Sequence, residues 1–351
     1  MTQSRRYLLI SLCVLFAIGL AWMFLRSSTP VVPETIKRGY SEALTAARNG
    51  QPGAARVLYQ QLARPDISPK RRVWLLAELP NYPSSVALKL ADADLQHEAP
   101  EVRIAAIKSI SGLVPSGQRS LLLGPLLDDG EQSVRLAAVN ALLGLSPDDL
   151  GLYFGALEQA VDAWQVVLKD APESADNQYQ LARLYLHNAQ LKEAQQALEH
   201  TLRLDPGNLP ALVMQIEILD KQGQSDAARQ LLAKQLKAQP DSAYLQHALG
   251  LWLLHHGQSE FALLGLSKAV ELEPNNKDYR YDLATTLHGE QELEAAQKQL
   301  QEIVQRHPND RRARVLLINY WKESGQLQNV QILLAQLEQI NPDDPALQQG
   351  L

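Results

Sequence analysis

The sequence predicts an all-α protein, an α-solenoid of stacked helix pairs behind one N-terminal transmembrane helix. Three observations carry that prediction. Six prolines, Pro172, Pro206, Pro240, Pro274, Pro308 and Pro342, recur every 34 residues. Leu and Ala dominate the periodic segments while aromatics make up only 6% of the chain, a balance that suits close-packed helices better than a sheet. An uncharged, mostly apolar run of 19 residues, Tyr7 to Leu25, stands near the start.

As a helix that run would be about 28 Å long, close to the roughly 30 Å of a bilayer's hydrocarbon core. Arg5 and Arg6 precede it, Arg26 closes it, and Trp22 lies near one interface. Cleavage after Gly19-Leu20-Ala21 would leave Trp22-Met23-Phe24-Leu25 as a greasy new terminus, so the expectation is an uncleaved anchor. Leu12 stands before Cys13 where a lipoprotein wants a small residue. Residues 1–26 thus read as a cytoplasmic tail and anchor, and residues 27–33, with Pro30 and Pro33, as an extended linker. A short tail before one long anchor predicts a single-pass protein of the bacterial inner membrane with its bulk in the periplasm.

Charge narrows the partners. Arg5, Arg6 and Arg26, with no acid among them, give residues 1–26 a charge of +3, so the remainder carries −9 of the net −6. So acidic a body is repelled by nucleic acid, which is excluded as a partner. Cys13 is the only cysteine, which excludes a disulfide, a Cys-ligated metal or a haem-attachment CxxCH from the remainder.

Beyond the linker, residues 34–147 begin with a helix pair over 34–65 around Asn49-Gly50, with Ala55 and Tyr59 in its second helix. Two later segments echo each other: "EVRIAAI" at Glu101–Ile107 and "SVRLAAV" at Ser133–Val139, 32 residues apart. "LLGPLLDDG" (Leu122–Gly130) supplies an intervening helix and its stop. An acidic turn before a Val-Arg-x-Ala-Ala helix resembles HEAT or phycobilisome-lyase-type repeats. Residues 148–174 read as a junction, with one helix over Leu157–Asp170 carrying Ala160 and Trp164.

Residues 175–342 divide into five units. The inner turn of each carries Ala189, Gly223, Gly257, Gln291 or Gly325, with Gln291 the departure from a small residue. Ala194, Ala228, Ala262 and Ala296 fall where paired helices touch, with Val330 in the last unit; Leu198, Leu232, Leu266, Leu300 and Leu334 follow four residues later. Glycine suits a turn with positive φ, alanine lets two backbones approach, and proline stops the second helix. A 34-residue unit ending in proline resembles the tetratricopeptide repeat (TPR), a helix–turn–helix module that stacks on its neighbours. Residues 343–351 are too short for a capping pair, so the last unit is expected to fray or to be covered by a partner. The array is expected to be elongated and curved.

The order of helix pair, HEAT-like pairs and TPR array over roughly residues 35–345 is similar to the C-terminal half of certain multihaem cytochrome c proteins. Their CxxCH half has no counterpart here, so electron transfer does not carry over. The chain also resembles membrane-anchored periplasmic TPR proteins that assist cytochrome c maturation.

No catalytic or cofactor motif is present: GxSxG, HExxH, GxGxxG and GKS/GKT are all missing. His97 in "HEAP" lacks the second histidine of a zinc motif. His255-His256 is the one adjacent pair, but consecutive helical side chains diverge by about 100° and rarely share one ion. The expectation is therefore no enzyme, no cofactor and no metal.

What the TPR resemblance does imply is a groove. The first helix of each unit lines a concave face, its side chains at unit positions 2, 5, 9 and 12 pointing inward. Candidate partner-binding residues are Tyr179, Arg183, Tyr244, His247, Leu251, Tyr281, Thr285 and Asn319. Tyr179 and Arg183 replace the Lys and Asn of the clamp that reads an acidic chain terminus. An aromatic and apolar middle instead suits an amphipathic helix or an extended protein segment. The function expected is a membrane-tethered interaction scaffold, an assembly factor for respiratory or cytochrome c complexes. The alternative is a structural subunit of a secretion or polysaccharide-export machine, and a remote third is an enzyme with an unfamiliar site.

Overall fold

The computed structural model describes residues 39–348. The expected anchor, tail and linker lie outside the described residues. Among the described residues no helix is long and apolar enough to cross a membrane. Gly39–Leu351 form one compact unit, and its described part is helical, with no strand among the described residues.

The regular half holds five helix pairs. Their first helices are α10 (Ala175–His187), α12 (Leu209–Lys221), α14 (Ala243–His255), α16 (Lys277–Gly289) and α18 (Arg311–Glu323). Their second helices are α11 (Leu191–Leu204), α13 (Ser225–Ala238), α15 (Ser259–Leu272), α17 (Leu293–Arg306) and α19 (Leu327–Ile340). The local causes repeat as faithfully as the boundaries. Ser174, Asn208, Ser242, Asn276 and Asp310 each cap a first helix with a side-chain oxygen that accepts an N–H from its first turn. At the inner turn all five residues take positive φ, including Ala189 at 54° and Gln291 at 65°. The conformation is thus held even where the sequence lacks glycine. Gln246, Arg280 and Arg314 donate to the carbonyls of Pro240, Pro274 and Pro308, pinning each inter-repeat turn to the helix that follows. Pairing is tightest in the third unit. There a Cβ on Gly265 would lie 2.9 Å from the Gln246 carbonyl oxygen, so only glycine admits that approach.

The first half is irregular. It comprises α1 (Tyr40–Arg48), α2 (Ala54–Leu62), α3 (Pro69–Leu76), α4 (Ser85–Asp94), α5 (Pro100–Leu113), α6 (Ser116–Leu123) and α7 (Gln132–Leu142). A single turn, α8 (Pro147–Leu150), and the longer α9 (Phe154–Asp170) complete it. The two Val-Arg-x-Ala-Ala segments lie in α5 and α7, which pack on each other. Their arginines do equivalent work: Arg103 donates to the carbonyls of His97 and Glu98, and Arg135 to those of Asp129 and Gly130. Each staples the turn before its own helix. One apolar core runs from Ala46 through Val161.

The two ends of this unit meet, which corrects the expectation of an elongated array with an open last repeat. Gly53 donates its N–H to the Gln339 carbonyl at 2.7 Å, and the wholly buried Asn341 donates to the Pro83 carbonyl at 2.9 Å. Gly50, at φ +54°, lies so close to the turn before α18 that a Cβ there would stand 2.4 Å from the Pro308 carbonyl oxygen. Ile340 joins the core of the first half. Asp344, also wholly buried, accepts both nitrogens of a bidentate Arg311 at 2.7 and 2.8 Å and caps the last turn, α20 (Pro345–Gln348). The last repeat is closed by the chain's own first helix pair and its loops.

Candidate binding groove

The first helices α10, α12, α14, α16 and α18 present their inner faces side by side, and three hollows interrupt that concave surface. At one end a cavity of about 700 Å³ is shared by Arg183, Leu186 and Met214 with Leu145, Leu150 and Phe154 of the first half. At the other end a cavity of about 540 Å³ is shared by Tyr281, Arg312 and Asn319 with Pro80, Asn81 and Gly112. Between them lies a cavity of about 390 Å³ built from repeat residues alone: Val213, Ile216, Glu217 and Lys221 face Leu251 and Trp252, with Leu232 behind. The two end cavities are therefore shared with the first half, and the middle one belongs to the repeats alone.

The candidate residues fall into two classes. Some are already engaged. Arg183 donates to Asn140 Oδ1 at 2.7 Å and to Gln180 Oε1 at 3.1 Å, tying the first repeat to α7. His247 pairs with Asp282 at 2.7 Å and stacks on Tyr279 with ring centroids 4.5 Å apart. Thr285 turns its hydroxyl back to the Asp282 carbonyl at 3.0 Å. Tyr281 carries the Arg312 guanidinium 3.5 Å over its ring, in the walled cavity that also holds Asn319.

Of the rest, Tyr179 and Tyr244 are half-buried, and Leu251 is exposed on the wall of the middle cavity. Burial raises the phenol pKa of both tyrosines, and the Glu217 carboxylate raises them further. Glu217 is exposed on α12. Its pKa is pushed up by desolvation, against an opposing pull from Lys221. Tyr179, Glu217 and Tyr244 stand on the first helices of three successive repeats.

Trp252 is not among the candidate residues, yet it lines the middle cavity and packs at a tilt against His256, with ring centroids 4.2 Å apart. Its place one residue after Leu251, outside the four inward positions, is why the register overlooked it. His255 also lines this cavity, whereas His256 pairs with Asp220 at 3.1 Å. Among the described residues no group of three or more His, Cys, Asp or Glu is placed to hold a metal ion.

Comparison with known proteins matches the repeat half. Residues 190–251 and 264–350 each match a family described as tetratricopeptide repeat. The uncharacterized protein y4yS of Sinorhizobium fredii is 35% identical over 86 residues, 24% of this chain, and the chain spans 47% of that relative's length. Among solved structures, YrrB, "a TPR protein with an unusual peptide-binding site", is 21% identical with a TM-score of 0.37, covering 54% of this chain and 97% of that one. TTC0263, a thermophilic TPR protein of Thermus thermophilus, is 20% identical with a TM-score of 0.40, covering 58% and 98%. Pseudomonas aeruginosa pilF is 23% identical with a TM-score of 0.38, covering 56% and 89%. With two family matches on a register of 34-residue helix pairs, residues 190–251 and 264–350 carry tetratricopeptide repeats.

Proposed function

We propose that this chain is a membrane-tethered, non-catalytic scaffold that holds a segment of a client protein in the middle of its TPR groove. One observation carries the reading: the cavity between α12 and α14 is lined by repeat residues alone, whereas the first half occupies the groove at both ends. An amphipathic helix or extended segment fits there, anchored on Tyr179, Tyr244 and Leu251. The uncharged run Tyr7–Leu25 supports the tether, and the short basic tail before it supports a periplasmic body. The cytochrome-linked resemblance of the repeat order supports respiratory or cytochrome c assembly as the pathway.

The test is photocrosslinking in intact membranes from positions 244 and 251, with positions 183 and 247 as engaged controls. The reading expects adducts with a haem protein or its precursor from the first two positions and none from the controls. Adducts with export or secretion components would keep the groove and replace the pathway. Adducts at none of these positions would place the binding face elsewhere. A phosphatase fusion at residue 348, active only outside the cytoplasm, tests the orientation.

A further inference from the structure

Most charged or hydrogen-bonding groups on the concave face already have partners: Arg183 has Asn140, His247 has Asp282, and one oxygen of Asp220 has His256. Glu217 is not among them. No hydrogen bond or ion pair among the described residues holds its carboxylate, and only the charge of Lys221, one helical turn on, acts against its own. The hydroxyls of Tyr179 and Tyr244, on the repeats before and after, likewise have no hydrogen bond among the described residues. Glu217 lines the middle cavity, where Val213 and Leu251 supply apolar wall. Deeper in that lining, the second oxygen of Asp220 and the indole N–H of Trp252 are buried without a partner.

We infer that the middle of the groove is a subsite for a basic side chain of the client, lysine or arginine, with its cation at Glu217 in the cavity that it lines together with Asp220. This rests on the groove reading and deepens it by naming the client's chemistry. Each feature has a reason. A carboxylate without a hydrogen-bond partner gains from a cation that brings its own donors. The unpartnered oxygen of Asp220, in the same lining, offers a second acceptor. The methylene stem of Lys or Arg lies along apolar wall while its charged head stays at the polar rim. A glutamate in the same place would meet Glu217 directly. A glutamine would bring donors but no charge to meet that carboxylate. Lys221 is the cation that a client must outcompete, so the subsite should respond to its removal with the opposite sign.

A random dodecapeptide display library, selected on the full-length chain, tests this. Selected peptides are kept as groove ligands only when Tyr244→Ala weakens them. The expected result is a fixed Lys or Arg in those peptides, with replacement by citrulline or glutamine costing about ten-fold in affinity. Glu217→Gln should erase that preference without affecting the neutral peptides, and Lys221→Ala should strengthen it. Both positions are exposed, so neither change threatens the fold. Tyr244→Phe, which keeps the ring, should retain most of the preference. Groove ligands with no fixed basic residue, or a preference that survives Glu217→Gln, would overturn the subsite and leave the groove standing. The absence of any Tyr244-dependent ligand would overturn both.

Discussion

Residues 175–348 and residues 39–170 are both stacks of helices, but they hold together by different means. In the repeat half every device recurs: a cap, a positive-φ turn and a proline stop, each 34 residues after the last. Stability there is a sum of similar nearest-neighbour contacts, so no single residue should be decisive. The first half has no such redundancy. It relies on buried polar contacts that occur once: Arg72 to Asp94, Ser109 to the Leu76 carbonyl, and Tyr59 to the Tyr82 carbonyl. A periodic structure spreads risk, while an irregular one concentrates it.

The sharpest way to break that contrast is Arg72→Met. Arg72 grips both oxygens of the buried Asp94 at 2.7 and 2.8 Å and also donates to the Leu62 and Arg64 carbonyls. Removing it strands a buried carboxylate, and a loss of about 3–5 kcal/mol in urea denaturation is expected. Desolvation already raises the Asp94 pKa despite the arginine. A raised carboxylate pKa favours folding below the unfolded value, and that advantage is lost as pH rises through the folded one. The variant's deficit should therefore be smaller at pH 4 than at pH 7. A similar loss from Arg229→Met, whose exposed partner is Asp226, would erase the contrast.

The closure comes next. Gly50→Ala puts a Cβ against the Pro308 carbonyl oxygen in a left-handed backbone, and about 2–3 kcal/mol is expected from overpacking and conformation together. Gly144→Ala, at φ +82° with nothing within 4 Å, should cost only about 1 kcal/mol. Limited proteolysis after residue 323 reports the difference: the Gly50 variant should release α19 faster, and the Gly144 variant should not.

How much of this was legible follows the same division. The 34-residue text revealed the pairs, the turns and even the odd positions Ala189 and Gln291, because identical geometry leaves a periodic trace. The closure left none. Asn341 meets a backbone carbonyl 258 residues away, and no side-chain pattern announces a carbonyl. Gly50 was legible as a turn but not as a point of contact. In the groove, Tyr179, Tyr244 and Leu251 followed from register. That Arg183 and His247 are engaged did not, because Asn140 and Asp282 come from other elements.

A smaller effect tests the hydroxyl network beneath the closure. Tyr59 donates to the Tyr82 carbonyl at 2.6 Å, and burial pushes its pKa up to about 12. The folded state thus holds the phenol proton more tightly than the unfolded chain, whose tyrosine titrates near 10. That contribution is complete below pH 10 and is lost as pH climbs towards 12. Tyr59→Phe should cost about 1 kcal/mol at pH 8 and flatten the loss of stability between pH 10 and 12. An unchanged alkaline limb would show that this phenol is not what the closure protects.

The smallest effect runs the other way and sharpens the comparison most. If the repeat register imposes positive φ whatever the residue, then Ala189 and Gln291 hold a left-handed backbone that their Cβ atoms resist. Ala189→Gly and Gln291→Gly should each stabilise by about 0.5–1 kcal/mol, the strain relieved exceeding the extra unfolded-state entropy of glycine. The reverse changes, Gly223→Ala and Gly257→Ala, sit at the same turn with open space around them, so only the backbone preference acts. They should cost about the same amount. Because the four turns belong to different repeats without shared partners, the two gains should add in the double variant. Gains that fail to add would mean that neighbouring turns adjust to one another and that the repeats are less independent than their matching boundaries imply.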